Sequence, residues 1–307
     1  MLLLSTIRYE PLTQDMIEVL NKKRIFTVLE FLRCDNNVLS QILPLTYQEI
    51  NESKRFLTKT FAPEATNAFE SYKTVLTKSV LILTGIKSID DLLHGGILTG
   101  NIYEFCGLPA CGKTRLCSKI INKNLLLGIG IFVLDTKQEF GALQIKNALD
   151  PSSNEDLTSA LEHIFVHEIT TKFQLVSSLF DIKRQIENGK KVRLIFVDSL
   201  SVLFLGSKDF VENNNILNHT ANILRFLVNE YHVAVIVTNL MTQWFDDVKD
   251  SSSLRETVAC GKYWYNVPDI RLKLEKLADT TTRATLLKDD HHIASQMNTC
   301  TFEFDCE

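Results

Sequence analysis

The sequence predicts an α/β protein in which helices flank a mostly parallel, twisted sheet with a β-rich C-terminal end, preceded by a small helical N-terminal domain. Three observations lead to this prediction. From about residue 80, short runs rich in Val, Ile and Leu alternate with longer amphipathic segments, which is typical of parallel strands covered on both faces. The last β-like runs follow one another without a helical pattern between them. The first 60 residues show helical periodicity.

These patterns divide the chain into three parts. Residues 1–60 are predicted to form the small helical N-terminal domain, which is too short to bury a large core by itself. Residues 61–79 contain a proline and several small polar residues and are predicted to be a linker. Residues 80–307 are predicted to form the α/β core.

The N-terminal helices are predicted from their caps. Thr13 and Thr46 are suitable N-cap residues, because a threonine hydroxyl accepts a backbone N–H of the first helical turn. We expect helices at 14–22, at 27–33 and after Thr46.

The core elements are predicted from apolar runs and their spacing. Strands are expected at 101–106, 131–135, 164–167, 192–198, 233–239, 270–277, 283–287 and 301–304, and helices at 113–127, 172–187 and 215–229.

The composition excludes several classes of protein. The 307 residues carry a formal net charge of −4, so no overall basic field attracts the chain to nucleic acid or membrane. Its seven cysteines form no CxxC pair, which favours reduced thiols in the cytosol or nucleus. We expect no signal peptide and no membrane span, because the first residues lack a basic region and no apolar run is long enough.

The strongest motif runs from Gly107 to Thr114 and matches GxxxxGK[ST] between a predicted strand and a predicted helix. Its glycines let backbone N–H groups surround phosphate oxygens, and the helix N-terminus favours an anion. Lys113 is expected to reach the phosphates of ATP, and the Thr114 hydroxyl to bind Mg²⁺. The predicted nucleotide-binding residues of this stretch are Gly107, Leu108, Pro109, Ala110, Cys111, Gly112, Lys113, Thr114 and Arg115.

Two other predicted strands end in polar residues that are expected beside the nucleotide. The run 192–198 ends in Asp198, a Walker B pattern, and Asp198 is expected to hold Mg²⁺ through water. The run 233–239 ends in Thr238 and Asn239, which either sense the γ-phosphate or only cap the strand. Lys113 and Asp198 are therefore the candidate catalytic residues, and Asn239 is a further candidate nucleotide contact.

The stretch 84–100, which leads directly into the glycine loop, resembles the entry of eukaryotic RecA-type recombinases and their paralogues. Residues 237–239 and 261–268 also resemble that family. Residues 12–29 resemble the D-type paralogue more than the strand-exchange recombinase itself. The resemblance covers nearly the whole chain. It implies a RecA-type P-loop NTPase core, ATP and Mg²⁺ as cofactors, a nuclear location, and a complex with other recombinase paralogues in homologous recombination repair.

The chain departs from the recombinase pattern at two positions. Active recombinases carry Asp-Thr-Glu at the end of the second core strand, and that Glu orients the attacking water. Here Lys137 stands in its place, and loss of a general base costs about 10²–10⁴-fold in rate. Glu139 is a candidate substitute, although its displacement by two residues disfavours it. Leu240 replaces a Gln that couples the γ-phosphate to DNA. At most, weak DNA-dependent ATPase activity is expected.

The expected DNA-binding loops are slightly acidic. Among residues 199–214 the only cation is Lys208, which stands against two carboxylates. Among residues 240–262 the cations are outnumbered by four carboxylates, and Trp244 and Phe245 either stack on bases or pack on the core. The cations of this second loop are Lys249, Arg255 and Lys262. Because phosphate contacts provide most of the affinity for DNA, we expect weak binding of single-stranded or branched DNA by this chain alone.

The sequence leaves other functions open. An interaction subunit that uses ATP only as structural glue would also carry Lys137, Leu240 and acidic loops. A different RecA-core machine, such as a helicase-like or clock-type ATPase, normally keeps the glutamate that this chain lacks. We expect no contact with a membrane.

Overall fold

The computed structural model describes residues 3–7, 9–62, 65–140, 161–205, 209–245, 254–278, 280–290 and 298–304. The chain forms two compact units, Met1–Lys73 and Thr74–Glu307. No helix in these ranges has both the length and the apolar character that crossing a bilayer requires.

The first unit is a small helical bundle. Its helices are α1 (Gln14–Lys22), α2 (Val28–Arg33), α3 (Asn36–Ile42) and α4 (Tyr47–Phe61). Their apolar faces share one core, which includes Ile17, Leu20, Phe31 and Ile50. Helix α3 was not predicted from the sequence, and Asp35 caps it by accepting the N–H of Asn37. The cap supplies the start signal that a short polar helix needs.

Caps define the helix starts in this unit. The Thr13 hydroxyl accepts the N–H of Met16, as predicted. Thr27 and Thr46 each form a complete capping box, in which the glutamate three residues later accepts the threonine's own N–H. A further helix, α5 (Ala68–Lys78), lies in the stretch predicted as linker and spans the boundary between the two units, and none of its residues is buried.

The second unit contains the strands and the remaining helices. Its strands are β1 (Leu81–Ile82), β2 (Ile97–Leu98), β3 (Ile102–Gly107), β4 (Gly130–Asp135), β5 (Ile164–Glu168), β6 (Val192–Asp198), β7 (Ala234–Phe245), β8 (Leu254–Val258), β9 (Ile270–Lys276), β10 (Thr281–Asp289) and β11 (Thr299–Glu303). Its helices are α6 (Lys87–Leu92), α7 (Lys113–Asn124), α8 (Lys172–Glu187), α9 (Leu200–Phe204), α10 (Phe210–Tyr231) and α11 (Gly261–Tyr265).

The main sheet has a parallel centre and an antiparallel end. Among the described residues its strand order is β11–β10–β9–β3–β7–β6–β4–β5, with β8 paired to β7. The pairs from β9 to β5 are parallel, whereas β10 and β11 add the antiparallel C-terminal end. The predicted α/β class and mostly parallel sheet are confirmed.

Helices cover both faces of this sheet. Side chains of β4 alternate, with Ile131 and Val133 in the core beneath α7, and Phe132 and Leu134 in the core beneath α8 and α10. Because both faces are buried, the strands read as continuous apolar runs.

Two elements are longer than the sequence indicated. Helix α10 begins at Phe210, because Asp209 caps it by accepting the N–H of Glu212. Strand β7 continues to Phe245, because its second half pairs with β8 in an antiparallel hairpin. Parallel strands end at one edge of the sheet, so the chain beyond β3, β4, β6 and the parallel half of β7 converges there.

Candidate nucleotide-binding site

The glycine loop joins the end of β3 to the start of α7, as the motif predicts. Gly112 has a φ of +96°, and a Cβ on it would lie 2.7 Å from the ring of Phe304. A Cβ on Gly107 would collide with the carbonyl of Leu274 and lie 2.6 Å from Cys111 Sγ. Ala110 also has a positive φ, of 58°. The loop therefore depends on glycine for both its conformation and its close packing.

Lys113 places its ammonium inside this loop. The residue is buried, and its Nζ donates to the carbonyls of Gly107 at 3.0 Å and Leu108 at 2.8 Å. The same Nζ lies 3.5 Å from Cys111 Sγ. A cation enclosed by a glycine loop at a helix N-terminus is the arrangement that binds a phosphate group. Leu108, Pro109 and Ala110, by contrast, are exposed on the rim.

Phe304 links the glycine loop to the C-terminal end of the sheet. Its buried ring lies against Gly112, and the guanidinium of Arg115 stacks over it with Cζ 4.7 Å from the ring centroid. Arg115, predicted as a nucleotide contact, is therefore held at the start of α7 by a cation–π interaction.

Lys137 lies at the centre of the second part of the site. Its Nζ donates to Asp198 Oδ1 at 2.8 Å and to Thr114 Oγ1 at 3.2 Å. Thr238 also donates its hydroxyl to Asp198 Oδ1. Glu139, the candidate substitute base, lies 4.0 Å from Lys137 Nζ and has an exposed side chain. The structure thus brings the ends of β4 and β6 and the start of α7 together around one ammonium, while Thr238 of β7 contacts Asp198.

The turn after β4 holds Lys137 in this position. Asp135 Oδ1 accepts the backbone N–H groups of Lys137 at 2.9 Å and Gln138 at 3.0 Å, and its Oδ2 accepts that of Phe140 at 2.8 Å. Thr136 ties the turn to β6, because its hydroxyl donates to the Ser199 carbonyl and accepts the Ser199 N–H. These bonds fix the backbone of Lys137, and from this position its side chain reaches Thr114 and Asp198.

The expected Mg²⁺ does not fit beside Lys137 in this arrangement. Its two predicted ligands, Thr114 and Asp198, both accept hydrogen bonds from the Lys137 ammonium. An ion between them would meet a protonated amine, which cannot coordinate a metal. In the described part of the chain, no three His, Cys, Asp or Glu side chains gather into an alternative metal site.

Asn239 belongs to a different cluster, which the sequence did not reveal. Its amide Nδ2 donates to Glu104 Oε1 at 2.8 Å and to the carbonyl of Ala259 at 3.1 Å. Glu104 also accepts from Trp264 Nε1 at 2.7 Å and forms a buried ion pair with Arg271. The phosphate-sensing role of Asn239 stays a prediction, while Thr238 is the residue of this pair that contacts Asp198. In the sequence, the one indication of this cluster is Glu104, a carboxylate within the otherwise apolar strand β3.

The thiols near the glycine loop are buried. Burial raises the pKa of Cys106 to about 12 and that of Cys117 well above its ordinary value. These two thiols therefore stay protonated at neutral pH, and the cysteines of β3 and α7 act as packing groups.

The expected DNA-binding residues lie around the β7–β8 hairpin. In its backbone register, Trp244 pairs with Arg255, and Phe245 pairs with Leu254. Lys262 is exposed on α11. Lys208 and Lys249 lie outside the described residues. The proposed contacts of these residues with DNA stay predictions.

The fold and the site together define a RecA-type P-loop α/β protein. The Rad51 family model matches residues 76–294, which is more than half of the chain, and the chain belongs to that family. The family prediction is thus confirmed.

Individual proteins that are similar to this chain support its assignment to the family. The chain is 29% identical over 277 residues to the DNA repair protein RAD51 homolog 4 of Bos taurus, covering 86% of this chain and 82% of that protein. It is 23% identical over 252 residues to the DNA repair protein RAD51 homolog 2 of Homo sapiens, covering 75% and 65%. It is 29% identical over 215 residues to the DNA repair and recombination protein RadB of Methanosphaera stadtmanae, covering 69% and 88%.

Proposed function

We propose that this protein is an ATP-binding recombinase paralogue that assists homologous recombination repair of DNA double-strand breaks in the nucleus. It promotes assembly of the recombinase filament on single-stranded DNA, as one member of a complex of paralogues of its family. The observation that carries this proposal is the buried Lys113 ammonium within the glycine loop of a Rad51-family sheet. The names of the DNA-repair relatives support the biological role.

ATP is the proposed ligand, and the proposed ATPase activity is at most weak and DNA-dependent. Lys137 stands where the family's recombinases carry the glutamate that orients water, and it is paired with Asp198. The acidic loops support weak binding of single-stranded or branched DNA by the chain alone. The Mg²⁺ that the sequence predicts with ATP would require Lys137 to leave Thr114 and Asp198.

The test is ATP binding and turnover by the purified chain, with and without single-stranded DNA. We expect binding by the wild type, loss of binding in Lys113→Ala, and little turnover in either condition. DNA-stimulated turnover at recombinase rates would contradict the assignment of Lys137 as the cause of weak hydrolysis. Addition of the chain with its paralogues should speed filament assembly on single-stranded DNA, and an unchanged rate would contradict the filament role.

A second candidate function is an interaction subunit in which ATP is only structural glue. The Lys137–Asp198 ion pair favours it, because a lysine in this position stabilises the site without supplying a base. The two functions differ in one result. If a Lys113→Ala variant still joins the paralogue complex and supports filament assembly as fast as the wild type does, ATP has at most a structural role in this subunit.

A further inference from the structure

We propose that the Lys137 ammonium takes the place of Mg²⁺ in this site, so that the protein binds ATP through its own cations and without the metal. This inference rests on the proposed ATP-binding function. Lys137 Nζ lies 2.8 Å from Asp198 Oδ1 and 3.2 Å from Thr114 Oγ1. In P-loop proteins these are the two groups that hold the ion.

The chemistry of the ammonium suits this role. A lysine ammonium carries three N–H donors, and its two hydrogen bonds to Thr114 and Asp198 leave one for a phosphate oxygen. Lys113 supplies a second ammonium from within the glycine loop. Two ammonium groups and the N-terminus of α7 would thus present positive charge to a bound triphosphate, which is the electrostatic task of the metal.

The surroundings hold the ammonium in place. The side chain of Lys137 is 23% exposed and that of Asp198 is 10% exposed, so solvent screens their attraction only in part. Asp135 fixes the turn that carries Lys137, and Thr238 holds Asp198 from the other side. A group that is already fixed loses little conformational entropy when the nucleotide binds.

The same geometry disfavours the metal. Mg²⁺ requires near-octahedral oxygen ligands at short distances and keeps several waters. An ion bound between Thr114 and Asp198 would displace the ammonium or lie against a like charge, and Glu139 is the one further carboxylate paired with Lys137 in the described structure. Binding of the ion therefore competes with an interaction that the protein already makes.

The experiment measures the dissociation constant of ATP by calorimetry, in excess EDTA and in excess Mg²⁺. For the wild-type chain we expect the two constants to agree within about threefold. For Lys137→Met we expect at least a roughly tenfold weaker affinity in EDTA, with most of the loss recovered in Mg²⁺. Lys123→Met, which removes an exposed lysine at the far end of α7, is the matched control and should behave as the wild type.

The outcomes separate this inference from the proposed function. If the wild type binds ATP in Mg²⁺ but not in EDTA, the proposed role of Lys137 is overturned and the ATP site stands. Equal metal dependence in wild type and Lys137→Met would overturn it as well. Absence of binding in both buffers would overturn the ATP site and the proposed function with it. Thermal melting of each variant shows whether it is folded, and the wild-type comparison tests the inference without any variant.

Discussion

Arg271→Met tests the buried ion pair between strands β3 and β9. Arg271 Nε donates to Glu104 Oε2, and the two side chains are 1% and 0% exposed. Arg271 also donates through Nη2 to the carbonyl of Tyr265 at 2.9 Å, and its guanidinium lies over the Tyr265 ring. Methionine keeps much of the length and apolar packing of the arginine stem but removes the charge. Glu104 would then keep only neutral donors, from Asn239 and Trp264.

The expected cost follows from this burial. Removal of one partner of a buried ion pair leaves an uncompensated charge and destabilises a protein by about 3–5 kcal/mol. For a unit of this size, each kcal/mol lowers the melting temperature by roughly 2–4 °C. The melting temperature of Arg271→Met should therefore fall by roughly 6–20 °C. The matched control is Arg184→Met, whose guanidinium pairs with Asp181 on the surface and is 74% exposed. The control should lose less than about 0.5 kcal/mol.

The assay is thermal denaturation of the full chain, followed by circular dichroism. A double variant, Glu104→Gln with Arg271→Met, removes both charges and should be more stable than Arg271→Met alone, because the uncompensated carboxylate is gone. If Arg271→Met melts at the same temperature as Arg184→Met, the buried pair does not stabilise the fold as expected. If the double variant is less stable than Arg271→Met, the uncompensated Glu104 charge is not the cause of the loss.

Further predictions concern the site and the first unit. Lys113→Ala should weaken ATP binding at least roughly tenfold, because a charged phosphate contact is lost; unchanged affinity would contradict the P-loop assignment. Lys137→Glu should raise ATP turnover in Mg²⁺, because it supplies a base at the family's position; a folded variant with unchanged turnover would show that this base is not the limiting group. Removal of residues 1–60 should abolish at least one paralogue contact while ATP binding survives, and a pull-down that retains every partner would contradict this role. The Glu30 carboxylate accepts two backbone N–H groups, which lower its pKa from 4.5. Because its pKa is depressed on folding, its stabilisation is present above pH 4.5 and lost as the pH falls through the folded value. Amide exchange near α2 in wild type and Glu30→Gln should therefore differ at pH 7 and converge in acid; a constant difference would argue against this linkage.

Local features of the sequence predicted much of the site. The glycine spacing of the P-loop, the helix after it and the buried strand ending in Asp198 are each contained within a few consecutive residues. Helix caps are equally local, which explains why α1 was predicted from Thr13 with the bounds that the structure shows, and the bounds of α8 also agree with the prediction. Such features can be predicted from the sequence because backbone geometry and hydrogen bonding within one turn determine them.

Contacts between distant segments were decided by the tertiary structure alone. Lys137 meets Asp198 across 61 positions, and Glu104 meets Arg271 across 167. The sequence showed that Lys137 could not act as a base. It did not show that the ammonium would lie between the two expected metal ligands, because that depends on β4 lying beside β6 in the sheet. Likewise, Asn239 joins Glu104 because β7 lies beside β3. Local sequence patterns show which residues the strands end in, and the order of the strands in the sheet places those ends beside one another.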